Sequence, residues 1–580
     1  MKPADIRRLQ ELLAVARGDE PADLVLCNGQ VLNVFTGEVR RANVAVRHGL
    51  IAGIGLEYSK GKEMVDLAGA CVLPGFIDSH IHIESSLLSM SEFARLALIR
   101  GTTAVIADPH EIANVLGAAG VRYMLKASEG LPLDVFVMVP SCVPATRLET
   151  AGAELTAADT ARLLRLERVV GLAEMMNYPG VAFGAPDVLS KVASARKLNR
   201  PVDGHAPGLT GPLLQAYLAA GVGTDHECVG PREAQEKLRS GMKIQAREGS
   251  AARNLGSLLP VVNDFNLRRW SFVTDDKHPG ELLHDGYLDA TLRRAVANGM
   301  HPAAAVQLVT LNPAEHYRLD GRGAVAPGYI ADLVVVGELS RFNVRMVFKR
   351  GQLIARDHQL LVKLPFFRDR SVTGTVRIRR PAVSDLAIQA EGELCNVIRL
   401  VPDQIVTEKH VQRPTVARGM VVADTERDLL KLAVFERHQR SGRVGLGLVH
   451  GFGLKKGALA TTVSHDSHNV IVVGTNDRDM LVAVRALERM GGGCVATADG
   501  KVAAGLPLPI AGLMSDKPAE RVVGDLKRLL DKAHVWGSRL ANPFITLSFL
   551  ALPVIPELKL TDRGLVDVSK FAIISLFCKE

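Results

Sequence analysis

The chain lacks any Cys-x-x-Cys pair. Its seven cysteines, Cys27, Cys71, Cys142, Cys228, Cys395, Cys494 and Cys578, are dispersed over the whole length. That excludes a disulfide framework and a cysteine-ligated zinc, and it suits a reducing cytosol. Aromatic residues are only 4% of the chain, and the net charge of +8 gathers in no stripe beyond Arg377-Ile378-Arg379-Arg380 and Lys455-Lys456. A scattered basic balance with few rings to stack on bases argues against a nucleic-acid partner. Long apolar runs are missing too. The longest late one, 544–555, is short and contains Pro553, a poor membrane span. Residues 1–20 are charged and amphipathic (Ile6, Leu9, Leu12, Leu13), without an apolar signal core, and read as a helix. The expectation is a cytoplasmic protein with neither membrane nor nucleic-acid partner.

What is present is a globular composition, 47% hydrophobic and 23% charged. A length of 580 residues exceeds one core, so two or three domains are expected. Short strand patterns broken by Gly29, Gly37, Gly49 and Gly55 fill 23–54, and similar ones return over 328–354. The two ends are expected to pair into one small β domain, residues 1–71 with 319–364. Between them, 72–318 alternates strands and helices. Strands are expected over 72–83, 103–107, 134–139, 169–173, 202–204, 223–225, 243–245 and 270–274. Helices are expected over 92–100, 114–128, 156–166, 186–197 and 211–220. The fold class is therefore α/β, a (β/α)8 TIM-like barrel. Residues 365–580 read as a separate α+β domain, with strands over 374–378, 396–401, 443–448 and 469–473 and helices over 424–437, 477–490 and 519–533.

The organising stretch is Val72-Leu73-Pro74-Gly75-Phe76-Ile77-Asp78-Ser79-His80-Ile81-His82-Ile83-Glu84. On a strand, positions i and i+2 share a face, so His80 and His82 can grip one divalent metal. Alone, His-x-His is as common on a surface as in a metal site. In a barrel, functional residues sit at the C-terminal strand ends, and the polar residues fall there in turn. Asp108-Pro109-His110-Glu111 closes the second strand, Glu174 the fourth, His205 the fifth, Asp225-His226-Glu227 the sixth and Asp275-Asp276 the eighth.

Together these give the ligand set of a two-metal hydrolase. His80 and His82 would hold one ion, His205 and His226 the other, and Glu174 would bridge them. Asp275 would ligate the first ion and contact a bridging hydroxide. Two divalent ions against Glu174, Asp275 and a hydroxide leave about one net positive charge, which favours deprotonating water. Glu174 could instead be an interior carboxylate paired with an arginine, and His205 a core histidine. Asp225 and Asp276 read as supporting groups or caps, and His110 as a turn residue or a substrate contact. Ser464-His465-Asp466-Ser467-His468 reads first as a strand-end turn of the last domain; reaching the barrel mouth or binding another metal is the alternative.

These residues carry a resemblance. Pro-Gly-Phe-Ile-Asp-x-His-x-His with two later histidines and a late aspartate resembles the amidohydrolase superfamily. More narrowly, His80-Ile81-His82-Ile83-Glu84-Ser85-Ser86, Asp108 to Val115, Ala173-Glu174-Met175-Met176-Asn177, Asp203-Gly204-His205-Ala206-Pro207 and Thr274-Asp275-Asp276-Lys277 look like the bacterial adenine deaminases. So do 464–469 and 547–557, so the likeness spans nearly the whole chain. Glu174 stands where many superfamily members carry a carboxylated lysine, which weakens a hydantoinase or dihydroorotase reading. The resemblance implies hydrolytic deamination of adenine to hypoxanthine and ammonia by a metal-bridging hydroxide. Asp275 would move the water's proton, and Glu84, His110 or Glu111 would protonate a ring nitrogen. It implies two divalent ions, manganese or iron foremost with zinc permitted by the nitrogen and oxygen donors, and a homo-oligomer, expected as a dimer. The other base-deaminase chemistry needs Pro-Cys-x-x-Cys, which is absent. The alternatives are a cyclic-amide hydrolase of the hydantoinase or dihydropyrimidinase kind and a catalytically silent scaffold.

Overall fold

The computed structural model describes residues 3–250, 252–402 and 404–578. Its centre is a TIM-like barrel. Six strands pair in the order Val202–Gly204, Val169–Met175, Asp134–Val139, Thr102–Ala107, Phe76–His82 and Asp275–Asp276. Three more pair as Thr224–Asp225, Lys243–Arg247 and Trp270–Val273. Trp270–Val273 runs on into Asp275–Asp276 and joins the two arcs. At the other seam the Gly223 N–H donates to Val202 O at 2.9 Å, and the Gly204 N–H to Thr224 Oγ1 at 3.2 Å. The pairings within both arcs are parallel. All the strands therefore open their C-terminal ends on one rim.

Two sequence expectations fail here for local reasons. The apolar run 72–83 is not one strand. Cys71–Pro74 pairs antiparallel with Leu333–Val336, and only Phe76–His82 enters the barrel. The break falls at Gly75, where an added Cβ would sit 2.2 Å from Thr103 Oγ1. Only glycine lets the chain pass that close between two sheets. The stretch 114–128 is likewise two helices, His110–Leu116 and Ala118–Ala127. Gly117 separates them at φ +59°, a left-handed turn that ends the first.

Strands from both sides of the barrel segment share one sheet. Its order is Gln359–Leu360, Gln352–Arg356, Val344–Lys349, Leu333–Val336, Cys71–Pro74, Gln30–Leu32 and Val39–Arg41. A four-stranded sheet of Leu50–Gly55, Asn43–Arg47, Ala22–Cys27 and Gly61–Asp66 packs on it. Leu24, Leu26, Val44, Val72, Leu333 and Phe348 fill the space between.

The C-terminal part is built on an eight-stranded sheet whose middle strands are Val444–His450, Leu429–Phe435, Val470–Gly474 and Ala458–Thr461. Helices Asp477–Met490 and Ala519–Val535 stand close to the expected 477–490 and 519–533. The helix expected over 424–437 is wrong. Leu429-Leu430-Lys431-Leu432-Ala433-Val434-Phe435 is buried along its whole length as a strand between two neighbours. Good helix formers there are overridden by burial on both faces, the mark of a central strand. Residues 374–378 form no strand; the Arg377 N–H bonds to Arg437 O at 2.8 Å outside any ladder. No helix among the described residues is long and apolar enough to cross a membrane.

Candidate functional site

The first barrel strand ends in His80 and His82 on one face, with ring centroids 4.9 Å apart. Asp78, two residues earlier, locks this strand to the last one. Its carboxylate accepts from Thr274 Oγ1 at 2.5 Å and Tyr287 OH at 2.7 Å, and burial pushes its pKa up to about 6. His82 Nδ1 lies 3.0 Å from the Asp108 carbonyl oxygen. A carbonyl only accepts, so that nitrogen carries the proton and Nε2 turns a lone pair to the rim.

Glu174 sits at the centre. Its Oε2 is 3.0 Å from His226 Nε2, 3.1 Å from His205 Nδ1 and 3.8 Å from His80 Nε2. Its Oε1 is 3.4 Å from His110 Nδ1 and 3.9 Å from His82 Nε2. Asp275 Oδ1 lies 3.1 Å from His82 Nε2 and 3.7 Å from His80 Nε2. Asp275 holds φ at +59°, a left-handed backbone rare outside glycine and typical of strain kept at a working site. The six residues named from the strand ends as a ligand set, His80, His82, Glu174, His205, His226 and Asp275, thus meet at one point.

The donor set fits divalent cations. Ligand atoms of His80, His82 and Asp275 lie within 4.8 Å of one another, and so do those of His80, Glu174 and His226. His80 Nε2 is buried and makes no hydrogen bond. The His82 lone pair faces carboxylate oxygens. The Nε2 atoms of His80 and His82 stand 3.1–3.9 Å from carboxylate oxygens of Glu174 and Asp275, an arrangement a cation between them stabilises.

Comparison with known proteins fits this chemistry. Residues 71–354 match the amidohydrolase family and 404–572 the adenine deaminase C-terminal domain. An adenine deaminase of Dehalococcoides mccartyi is 50% identical over 566 residues, 98% of this chain and 99% of that one. Those of Desulfatibacillum aliphaticivorans and Methanothrix thermoacetophila are 49% and 48% identical, each over 98% of this chain and over 99% and 100% of their own. The chain belongs to the adenine deaminase family.

The three acid candidates also reach the rim. Glu84 is buried, accepts from the Ile112 N–H at 3.1 Å through Oε1 and leaves Oε2 without a partner. Burial, with the Glu111 carboxylate adding to it, pushes Glu84 up to about 7. His110 Nδ1 stands 3.3 Å from Asp108 Oδ2. Glu111 opens the helix His110–Leu116 and faces the C-terminal part. Asp225 and Asp276 are occupied beside the cluster. Asp225 accepts from the Ala206 N–H at 2.8 Å and Lys237 Nζ at 3.0 Å, and Asp276 from Ser85 Oγ at 2.5 Å.

The sequence pattern assigns no role to three side chains that the structure brings into the centre, Arg247, Glu227 and Asp78, and places two, His465 and His468, in the wrong setting first. Arg247 donates to Asp275 Oδ2 at 2.5 Å and through Nη2 to Glu227 Oε2 at 3.0 Å. The strand expected to end at Gln245 runs two residues further, and the strand-end rule then points to Arg247 itself. Glu227 groups with His205 and His226. Asp78 was passed over inside an apolar strand. The 464–468 stretch is not a turn standing apart in the last domain: His465 Nδ1 lies 2.7 Å from Glu111 Oε1, and His468 Nε2 contacts Oε2. Both histidines fall within the adenine deaminase C-terminal match.

Proposed function

We propose that this chain is an adenine aminohydrolase, converting adenine and water to hypoxanthine and ammonia. One observation carries the reading. The Glu174 carboxylate stands among the imidazoles of His80, His82, His205 and His226, beside Asp275, in a chain half identical to proteins named adenine deaminase. Its units on this reading are 1–71 with 319–364 as a β domain, 72–318 as a (β/α)8 barrel that begins at Phe76 once the strand Cys71–Pro74 has joined the β sheet, and 365–580 as an α+β domain.

His80, His82 and Asp275 would hold one divalent ion, His205 and His226 a second, and Glu174 would span both. Nitrogen and oxygen donors alone suit manganese or iron and permit zinc. Such a pair, when bound, supplies the positive charge that makes water nucleophilic near neutral pH.

The chain's own residues handle the protons. Asp275 Oδ1, the oxygen turned to the histidines, takes a proton from the water that attacks C6. It passes that proton to the exocyclic nitrogen. A C6–O bond forms, the C6–N bond breaks, ammonia leaves, and the new C6 hydroxyl gives up its proton as it becomes the carbonyl, restoring the acid that protonated the ring. Glu84, His110 or Glu111 protonates a ring nitrogen as the tetrahedral carbon forms. Arg247 holds the other oxygen of Asp275, which keeps Oδ1 aimed inward.

The experiment presents adenine, hydantoin and a dihydropyrimidine side by side to protein purified without chelator, with bound metal measured on the same sample. Ammonia release from adenine alone, with about two ions per chain, is the expected result. Turnover of a cyclic amide but not adenine, or a metal-free protein inert toward all three, would overturn the reading.

A further inference from the structure

We propose that the C-terminal part contributes two positioning residues to the active site, His465 and His468. They hold the Glu111 carboxylate as an acceptor on both oxygens, and so exclude Glu111 as the ring-nitrogen acid. This rests on the aminohydrolase reading above.

The geometry fixes which atoms donate. The Ser464 N–H donates to His468 Nδ1 at 3.1 Å. A ring nitrogen that accepts from a backbone N–H bears no proton, so in the neutral ring the proton is on Nε2, the atom that meets Glu111 Oε2. Burial pulls the His468 ring down to about 4, which keeps it neutral. His465 reaches Oε1 through Nδ1 at 2.7 Å, its ring plane set by stacking on Phe549 with centroids 4.7 Å apart.

The segment that presents them is built for the task. His468 holds a left-handed φ of +55°. Its carbonyl oxygen accepts from the buried Arg437 Nε, and His438 Nε2 meets Ser467 O at 2.7 Å. Strain kept in place by buried partners is a sign of function rather than of a surface turn. With one oxygen meeting His468 Nε2 and the other 2.7 Å from His465 Nδ1, Glu111 is held as the acceptor of two rings rather than as a donor to the substrate. Its contact toward the metal-ligand cluster is His110, whose Nε2 is 3.6 Å from Oε1 and whose Nδ1 is 3.4 Å from Glu174. The route runs from the C-terminal histidines through Glu111 and His110 to Glu174. Ring protonation then falls to Glu84 or His110.

A third metal ion at Glu111, His465 and His468 is the competing reading. Ligand atoms about 2.0–2.2 Å from an ion lie about 3 Å or more from each other. The Glu174 cluster has such spacing, 3.0–3.9 Å. The His465 Nδ1–Glu111 Oε1 contact of 2.7 Å is a hydrogen-bond distance, and His468 Nε2 meets the other oxygen; the three residues also lie close enough to hold an ion, and the metal count in the test below separates the two readings.

The test compares His468→Leu, which removes the donor, with His468→Gln, whose amide nitrogen falls near the position of Nε2. Expected for the leucine variant is a fall in kcat of about 10-fold or more with KM for adenine within about 3-fold, and unchanged metal content. The glutamine variant should restore most of the loss. In a Glu111→Gln background, His468→Leu should cost little more. An unchanged kcat in the leucine variant overturns the proposal. So does a loss that glutamine does not restore, full additivity with Glu111→Gln, or the disappearance of one ion per chain. If His468→Leu does not fold, His465→Leu and His465→Asn form the same pair, because the asparagine nitrogen reproduces Nδ1. Wild-type protein that leaves adenine untouched refutes the aminohydrolase reading instead, before any variant is made.

Discussion

Arg247 and Asp275 are bonded end to end inside the barrel mouth, with Nη1 2.5 Å from Oδ2. The same guanidinium also grips Glu227. One carboxylate oxygen of Asp275 is thereby fixed, and the other is left to the histidines at 3.1 and 3.7 Å. A planar fork with several fixed N–H groups can do this; a lysine ammonium cannot satisfy both acids in one plane. Arg247→Lys is therefore expected to lower kcat about 10–100-fold, the usual cost of disturbing a group that orients a metal ligand. Arg247→Met should do worse and also destabilise the fold, because Asp275 Oδ2 and Glu227 both lose the guanidinium they share. Steady-state kinetics and a melting curve on both variants check this. A fully active lysine variant would show that the clamp is dispensable.

Asp275 itself should behave as a proton carrier rather than a substrate anchor. Asp275→Asn preserves shape and removes the basic oxygen. The expected loss in kcat is about 10²–10⁴-fold, with adenine affinity changed only a few-fold. Equilibrium binding of adenine alongside turnover separates the two. Near wild-type kcat with metals loaded would sink the assignment.

Glu174 tests the electrostatics of the centre. It faces His80, His82, His110, His205 and His226. Glu174→Gln removes the only charge shared by both halves of the cluster. Metal content after dialysis should drop from about two ions per chain to about one or fewer. Re-adding manganese should recover less activity than in wild type. Full retention of both ions would mean that Glu174 does not span them.

Much of this centre was legible because barrel strand ends are fixed by period and length. His80, His82, Glu174 and Asp275 each follow an apolar run that announces where its strand stops, whereas His205 and His226 close the short strands Val202–Gly204 and Thr224–Asp225, which only the strand–helix alternation marks. Arg247 escaped because its strand was ended early at a polar residue. The bond between His465 and Glu111 escaped for a different reason. It joins residues 354 positions apart, and no local pattern encodes which distant turn will cover the rim. Residues 429–435 were misread because single-residue propensity favours a helix there. The ladder on both sides, which decides the matter, is visible only in three dimensions.

Lys559 offers a pH test of the C-terminal part. Its side chain is fully buried in the strand Leu558–Thr561, with Nζ donating to Ile405 O at 2.8 Å. Burial lowers its pKa from 10.5 to about 7. Between those two pH values the unfolded chain holds a proton on this lysine and the folded chain does not. Unfolding then takes up protons, so wild-type stability rises with pH through that window. Each unit of lowering corresponds to roughly 1.4 kcal/mol, so the burden of the buried ammonium below pH 7 is a few kcal/mol at most. Lys559→Met keeps the length, removes the charge and forfeits one hydrogen bond worth about 1 kcal/mol. The variant should be the more stable protein near about pH 6.5, with its advantage shrinking by about pH 9.5. Denaturant titrations at both pH values measure the gap. A gap that stays constant or widens as pH rises would mean that Lys559 is not held neutral by its surroundings.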